Sequence, residues 1–148
     1  MKLRHFALTG RPERVRAYAD SAVAQLEPAL RRAPDITLFH VYTRRTILAE
    51  AYARLRRVTD TEREIERYLA EVRAGPRPHR IPRALVNAAY VHVLAGERDE
   101  AVARLAEALR RPAGMDISPA LLRADASWAP LRGHPSFERL LVASPRRS

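Results

Sequence analysis

The feature that most constrains this chain is a triple of small and aliphatic residues. Ala101, Leu105 and Ala108 are spaced by four and then three, which places them on one face of an α-helix. Ala22, Leu26 and Ala29 repeat the same residue types at the same spacing, 79 positions earlier. Ile65, Leu69 and Val72 form a third copy, 36 positions before the last. In the helices that precede these triples, Ala51-Tyr52 corresponds to Ala89-Tyr90 at an offset of 38. Such a period fits a helix–turn–helix repeat with a few inserted residues. Alanine at the crossing points lets antiparallel helices approach, and leucine fills the groove between them. One pair cannot bury both of its apolar faces, so helix pairs are expected to stack into a short solenoid.

The remaining signals agree with an all-α chain. β-Branched runs and hairpin dipeptides are absent. Pro12 opens a first helix with Val15, Tyr18, Ala22, Leu26, Ala29 and Leu30 inward, and Pro28 is expected to kink it or end it near Ala24. Asp35 is positioned to cap a second helix with the stripe Leu38, Val41, Leu48, Tyr52 and Leu55, interrupted by Arg44 and Arg45. Thr59 with Glu62, or Thr61 with Glu64, has capping-box spacing ahead of a third helix. That helix presents Ile65, Leu69 and Val72, with an Arg67–Glu71 pair on its wet side and Gly75 at its end. The segment 75–82 carries three prolines and breaks the chain. A fourth helix, about Pro82 to Leu94, is apolar nearly all round, as a helix between neighbours is. Ala95-Gly96 turns the chain into a fifth helix with Glu100–Arg104 and Glu107–Arg111 outward. Ser118 and Pro119 start a short sixth helix, and a last helix runs from Pro135 to about Val142.

Composition narrows the class. The 148 residues suit one domain, and without any cysteine there is neither a disulfide framework nor a Cys-based metal site. No stretch approaches the roughly 18 apolar residues of a membrane span, and the short apolar part of Met1–Gly10 does not make a signal peptide. A cytoplasmic, non-membrane protein is therefore expected. The net charge is +10, almost all of it from arginine. That charge attracts anions. Because the arginines are scattered, a basic nucleic-acid-binding helical domain is the alternative and not the leading reading.

At Ala89, Gly96, Ala101, Leu105, Ala108 and Pro112 the sequence resembles a tetratricopeptide repeat. The closer resemblance is to the C-terminal repeat regions of bacterial multidomain serine/threonine kinases, cyclases and winged-helix regulators. Those regions close with a segment like 118–141 here, matched in order at Leu122, Arg123, Asp125, Trp128, Pro130, Leu131, Arg132, Pro135, Phe137, Leu140 and Leu141. Ala126 departs from that pattern, standing where proline is usual. Read from its residues alone, the segment is a cap: Trp128, Leu131, Phe137, Leu140 and Leu141 can cover the last repeat, at about 2 kcal/mol per buried side chain. The expected organisation is one domain, residues 1–143, with residues 117–143 as its cap and a frayed basic tail at 144–148.

The resemblance implies a non-catalytic scaffold that binds a protein or peptide, as an accessory or regulatory domain of a signalling system. The first helices of the pairs would line its groove. At the offset of 38, Arg45 and Tyr52 correspond to Arg83 and Tyr90, with Asn87 between the latter two, and these five are the candidate partner-binding residues. Arginine can grip a carboxylate through two parallel hydrogen bonds, and tyrosine can stack or donate. No glycine-rich phosphate loop is present, and no nucleophile sits beside a base. The five histidines lack metal-ligand spacing, so neither an enzyme nor a cofactor is expected, and His92 reads as a hydrogen-bonded core residue. The first helix resembles the second helix of a pair without its partner. This suggests a shortened architecture, with an apolar N-terminal face available for self-association or docking.

Overall fold

The computed structural model describes residues 11–32, 38–111 and 117–142, with side chains of the second helix from residue 44 onward. Every regular element among them is helical. We number them α1 (Pro12–Arg32), α2 (Leu38–Arg54), α3 (Val58–Ala74), α4 (Ile81–Ala95), α5 (Arg98–Leu109), α6 (Pro119–Ala124) and α7 (Pro135–Val142). Two 3-10 turns, Pro78–Arg80 and Ala126–Leu131, complete the order. Among the described residues no helix is long and apolar enough to cross a membrane. The chain divides into two compact units, Met1–Glu71 and Val72–Ser148, with the boundary inside α3. The Asp35 cap, Pro112 and the tail at 144–148 lie outside the described residues.

In the first unit α1 packs on α2. Helix α1 continues through Pro28 to Arg32 and does not end near Ala24. A proline costs a helix one backbone hydrogen bond and a clash one turn back; the flanking turns and the packing on α2 hold the helix across it. Leu48, Ala49, Ala51, Tyr52 and Ala53 of α2 are buried, as are Ile65, Tyr68 and Leu69 of α3.

Thr61 is not a helix cap. It lies inside the first turn of α3, fully buried, and its hydroxyl donates to the Arg57 carbonyl at 2.9 Å. Neither capping-box register starts the helix, which opens at Val58. Glu71 likewise does not pair with Arg67 on a wet face; it binds Arg45 of α2. Arg67 turns back to Glu64 at 3.1 Å.

In the second unit α4 and α5 form an antiparallel pair. Ala88, Ala89, Ala101, Leu105 and Ala108 are all buried, and alanine at such positions lets two helices approach closely. Gly96 ends α4 at φ 83°, in the left-handed region that glycine adopts without a Cβ penalty. The Glu97 N–H donates to His92 O at 2.9 Å and the Gly96 N–H to Val93 O at 3.1 Å, the paired bonds of a Schellman turn.

Residues 117–142 form α6, the second 3-10 turn and α7. The Ser118 hydroxyl accepts from the Leu121 N–H at 3.2 Å, with Pro119 at the first helical position. Trp128, Leu131, Phe137 and Leu141 are buried, and α4 and α5 both pack against this segment. Arginines then clip its backbone. Arg98 donates to Arg132 O at 3.3 Å, Arg132 to Arg123 O at 2.9 Å, and Arg123 to Leu141 O.

The two hairpin turns fix the register of the repeat. Arg56, at φ 60°, closes α2 as Gly96 closes α4, forty positions later. Arg57 N–H donates to Tyr52 O at 2.9 Å, as Glu97 N–H does to His92 O. At this offset Ala49 matches Ala89, Thr61 matches Ala101, Ile65 matches Leu105, and Tyr68 matches Ala108; all eight are buried. A single offset of forty therefore replaces the separate offsets of 36 and 38, because turn geometry, not residue identity, sets which positions are equivalent.

Candidate functional site

Two of the five candidate residues lie in the first unit and three in the second. Arg45 is held inside an ion-pair cluster. Its Nε and Nη2 both lie 2.8 Å from Glu71 Oε1, and its Nη1 donates to Glu64 Oε2 at 2.9 Å. Burial alone would work against the guanidinium charge, but the hydrogen bonds and charges of Glu71 and Glu64 outweigh it and raise the arginine pKa. The turn-aligned register explains the position. Arg45 stands where Leu85 stands in the next pair, and Leu85 is fully buried. The apolar stripe of α2 continues through Arg45 as a charge, and α3 answers it with two carboxylates.

Tyr52 belongs to a separate cluster. Its hydroxyl donates to Glu27 Oε1 of α1, and the Arg57 guanidinium lies over its ring, 4.5 Å from the centroid. Arg57 also reaches Glu27 at 3.5 Å and Asp60 at 2.8 Å. Burial and the neighbouring Glu27 carboxylate push the Tyr52 hydroxyl well above the usual tyrosine range, so it stays a donor. Tyr90 is buried in the second unit with its ring edge-on to Trp128, centroids 6.4 Å apart at 89°. Arg83 and Asn87, by contrast, reach the surface: Arg83 is exposed and Asn87 half-buried. Arg45, Tyr52 and Tyr90 are tied to the residues named above, and Arg83 and Asn87 also have interaction partners within the fold.

Glu27, which the sequence analysis did not single out, completes the Tyr52 cluster, and Glu64 and Glu71, read there as a capping-box residue and a partner of Arg67, complete the Arg45 cluster. His92 is a hydrogen-bonded core residue. It is 4% exposed, with Nδ1 2.6 Å from Glu97 Oε2. Its Nε2 is buried without a hydrogen-bond partner. His134 makes a similar contact to Asp99, Nε2 to Oδ1, at 2.6 Å. Among the described residues no three His, Cys, Asp or Glu side chains converge as a metal site. Trp128 is buried beside Tyr90. No protein-family model, curated protein or solved structure matches the chain.

Proposed function

We propose that this chain is a tetratricopeptide-like protein-interaction module, an accessory to a bacterial signalling system that holds a protein or peptide partner and does no chemistry on it. The observation that carries the reading is the repeated hairpin. Two Schellman turns forty positions apart are flanked by the same buried positions, Ala49 with Ala89 and Ile65 with Leu105. Repeats of this kind stack into a solenoid with a concave face, and their terminal units need a cap such as residues 117–142 provide. We put the partner surface on α4, a reading supported by exposed Arg83 and half-buried Asn87 standing one turn apart. Arginine with an amide one turn away suits a carboxylate.

The test is affinity capture from a lysate of the source cells at about 50 and about 200 mM salt, with the wild-type chain and the Arg83→Ala variant, because phosphate-driven binding falls steeply over that range. A defined protein retained at the higher salt, and lost with Arg83→Ala, is the expected result. Retention of nucleic acid alone, vanishing at the higher salt, would replace this reading with a nucleic-acid-binding one.

A further inference from the structure

Helix α1 sorts its charges by face. At 3.6 residues per turn, positions three, four and seven apart share a side. Glu13, Asp20 and Glu27 are seven apart and share one face. A different face carries Arg14, Tyr18, Ala22, Gln25, Ala29 and Arg32, at spacings of four, four, three, four and three, and Arg11 stands just before it. This second face has arginine at both ends, an aromatic and small residues in the middle, and no acid. Arg11, Arg14 and Arg32 are exposed and have no ion-pair partner among the described residues.

The same face is incompletely covered. Ala22, Leu26 and Ala29 repeat the residue types and spacing of Ala101, Leu105 and Ala108. The α5 triple is fully buried, whereas all three α1 residues are only half-buried. Tyr18 is 40% exposed. Helix α1 is packed on one side by α2 and open beside it.

We propose that this face of α1 docks an acidic amphipathic helix of a partner protein, its aliphatic side chains on Tyr18, Ala22 and Ala29 and its carboxylates on Arg14 and Arg32. Small residues at a helix face admit close approach of another helix, and an amphipathic helix laid on an apolar strip is an established recognition mode. A second copy of this chain does not fit. Antiparallel self-pairing sets Arg11 against Arg32 at both ends, and parallel pairing sets each arginine against itself; like charges facing each other repel. A nucleic-acid backbone would satisfy the arginines but gain nothing from Tyr18, Ala22 and Ala29, which an aliphatic helix buries. The proposal shares with the previous section only the class of partner. It uses none of the α4 residues, so the two can fail separately.

The probe is a labelled designed peptide of about 20 residues, long enough to form a helix, with leucine along one seam and glutamate flanking it. Its controls are the same peptide with every glutamate changed to lysine and a single-stranded oligothymidine of similar length. Binding to the full chain is read by fluorescence anisotropy. The acidic peptide is expected to bind at least tenfold more tightly than either control, a difference of about 1.4 kcal/mol. Arg14→Glu/Arg32→Glu is expected to weaken acidic-peptide binding at least tenfold and to gain affinity for the lysine peptide, a reversal that misfolding cannot produce. Arg139→Ala, an exposed arginine outside both α1 and α4, is expected to leave peptide binding unchanged. Equal binding of both peptides, tighter binding of the oligonucleotide, no binding of the acidic peptide, or indifference to the α1 double substitution would each overturn the assignment.

Discussion

Replacing Arg45 with methionine separates a structural role for this arginine from a ligand-binding one. Its side chain is 15% exposed and faces Glu64, 7% exposed, and Glu71, 32% exposed. Removing one partner of a buried ion pair strands the other charge and costs about 3–5 kcal/mol. Two features reduce that figure here. Glu64 keeps Arg67 at 3.1 Å, and Glu71 is exposed enough to turn to water. The expected loss is therefore about 2–3 kcal/mol. For a chain of this length, with each kcal/mol worth roughly 2–4 °C, the melting temperature should fall by roughly 5–10 °C.

The counter-charge supplies the internal control. In Arg45→Met/Glu64→Leu the more buried of the two carboxylates that faced Arg45 is gone and an apolar side chain takes its place, so the double variant should recover at least half of the loss. Urea unfolding followed by far-UV circular dichroism measures both. If Arg45→Met costs less than about 0.5 kcal/mol, the range of an ordinary surface substitution, the cluster is not a stabilising element and Arg45 is available to a ligand. A double variant less stable than the single one would refute the reasoning by a different route, because the cost would then lie in lost packing and not in a stranded charge.

Three further substitutions test local geometry. Burial tends to raise the Glu107 pKa, but its hydrogen bond to Arg111 and the charge of Arg73 outweigh this and hold it below the ordinary 4.5. A carboxylate depressed in the fold adds stability above its unfolded pKa and loses it as pH falls through the folded one. Glu107→Gln should therefore cost about 0.5 kcal/mol at neutral pH and nothing in strong acid, with the difference closing below about pH 4.5, as thermal melts across pH would show. At the turns, Gly96→Ala should cost about 1 kcal/mol through backbone strain alone, since an added Cβ meets nothing within 4 Å. Arg56→Gly should stabilise by about 0.5–1 kcal/mol by relieving φ 60°; chemical denaturation of the pair decides, and equal signs would sink the argument.

The elements legible in the sequence are those whose cause is local. Ser118 and Pro119 sit at a helix start whatever surrounds them, and Gly96 sits where a left-handed residue is needed. Ala101, Leu105 and Ala108 announce a close helix crossing by their size. The misread positions have distant causes. Thr61 and Glu64 have capping-box spacing, yet Glu64 is claimed by Arg45, 19 residues away, and Thr61 binds a carbonyl of its own turn. Glu71 stands four residues after Arg67, a favourable local pairing, but a buried guanidinium 26 residues away competes better than an exposed one nearby. Nothing in a local window reveals such a competitor. Pro28 shows the reverse case, in which tertiary packing overrides a strong local breaker.

The candidate site depended on register, and register is where local reading is weakest. A shift of two residues turns a helix by more than half a revolution, so equivalences drawn at 38 and at forty select different faces. At 38, Arg45 matches Arg83 and Tyr52 matches Tyr90, which suggests one repeated groove. At forty, the offset that the two turns impose, Arg45 matches buried Leu85 and Tyr52 matches buried His92. The environments agree with the second alignment: Tyr52 and His92 each hold a carboxylate, Glu27 and Glu97, against the interior. The repeated polar feature of this chain is therefore an internal one, a buried donor near the end of each first helix tied to a glutamate. Arg83 and Asn87 are not repeated at that offset, where Thr43 and Ile47 stand. Arg83 and Asn87 on α4 and the basic edge of α1 each occur once. Whatever selectivity the chain has must be sought in these unrepeated surfaces.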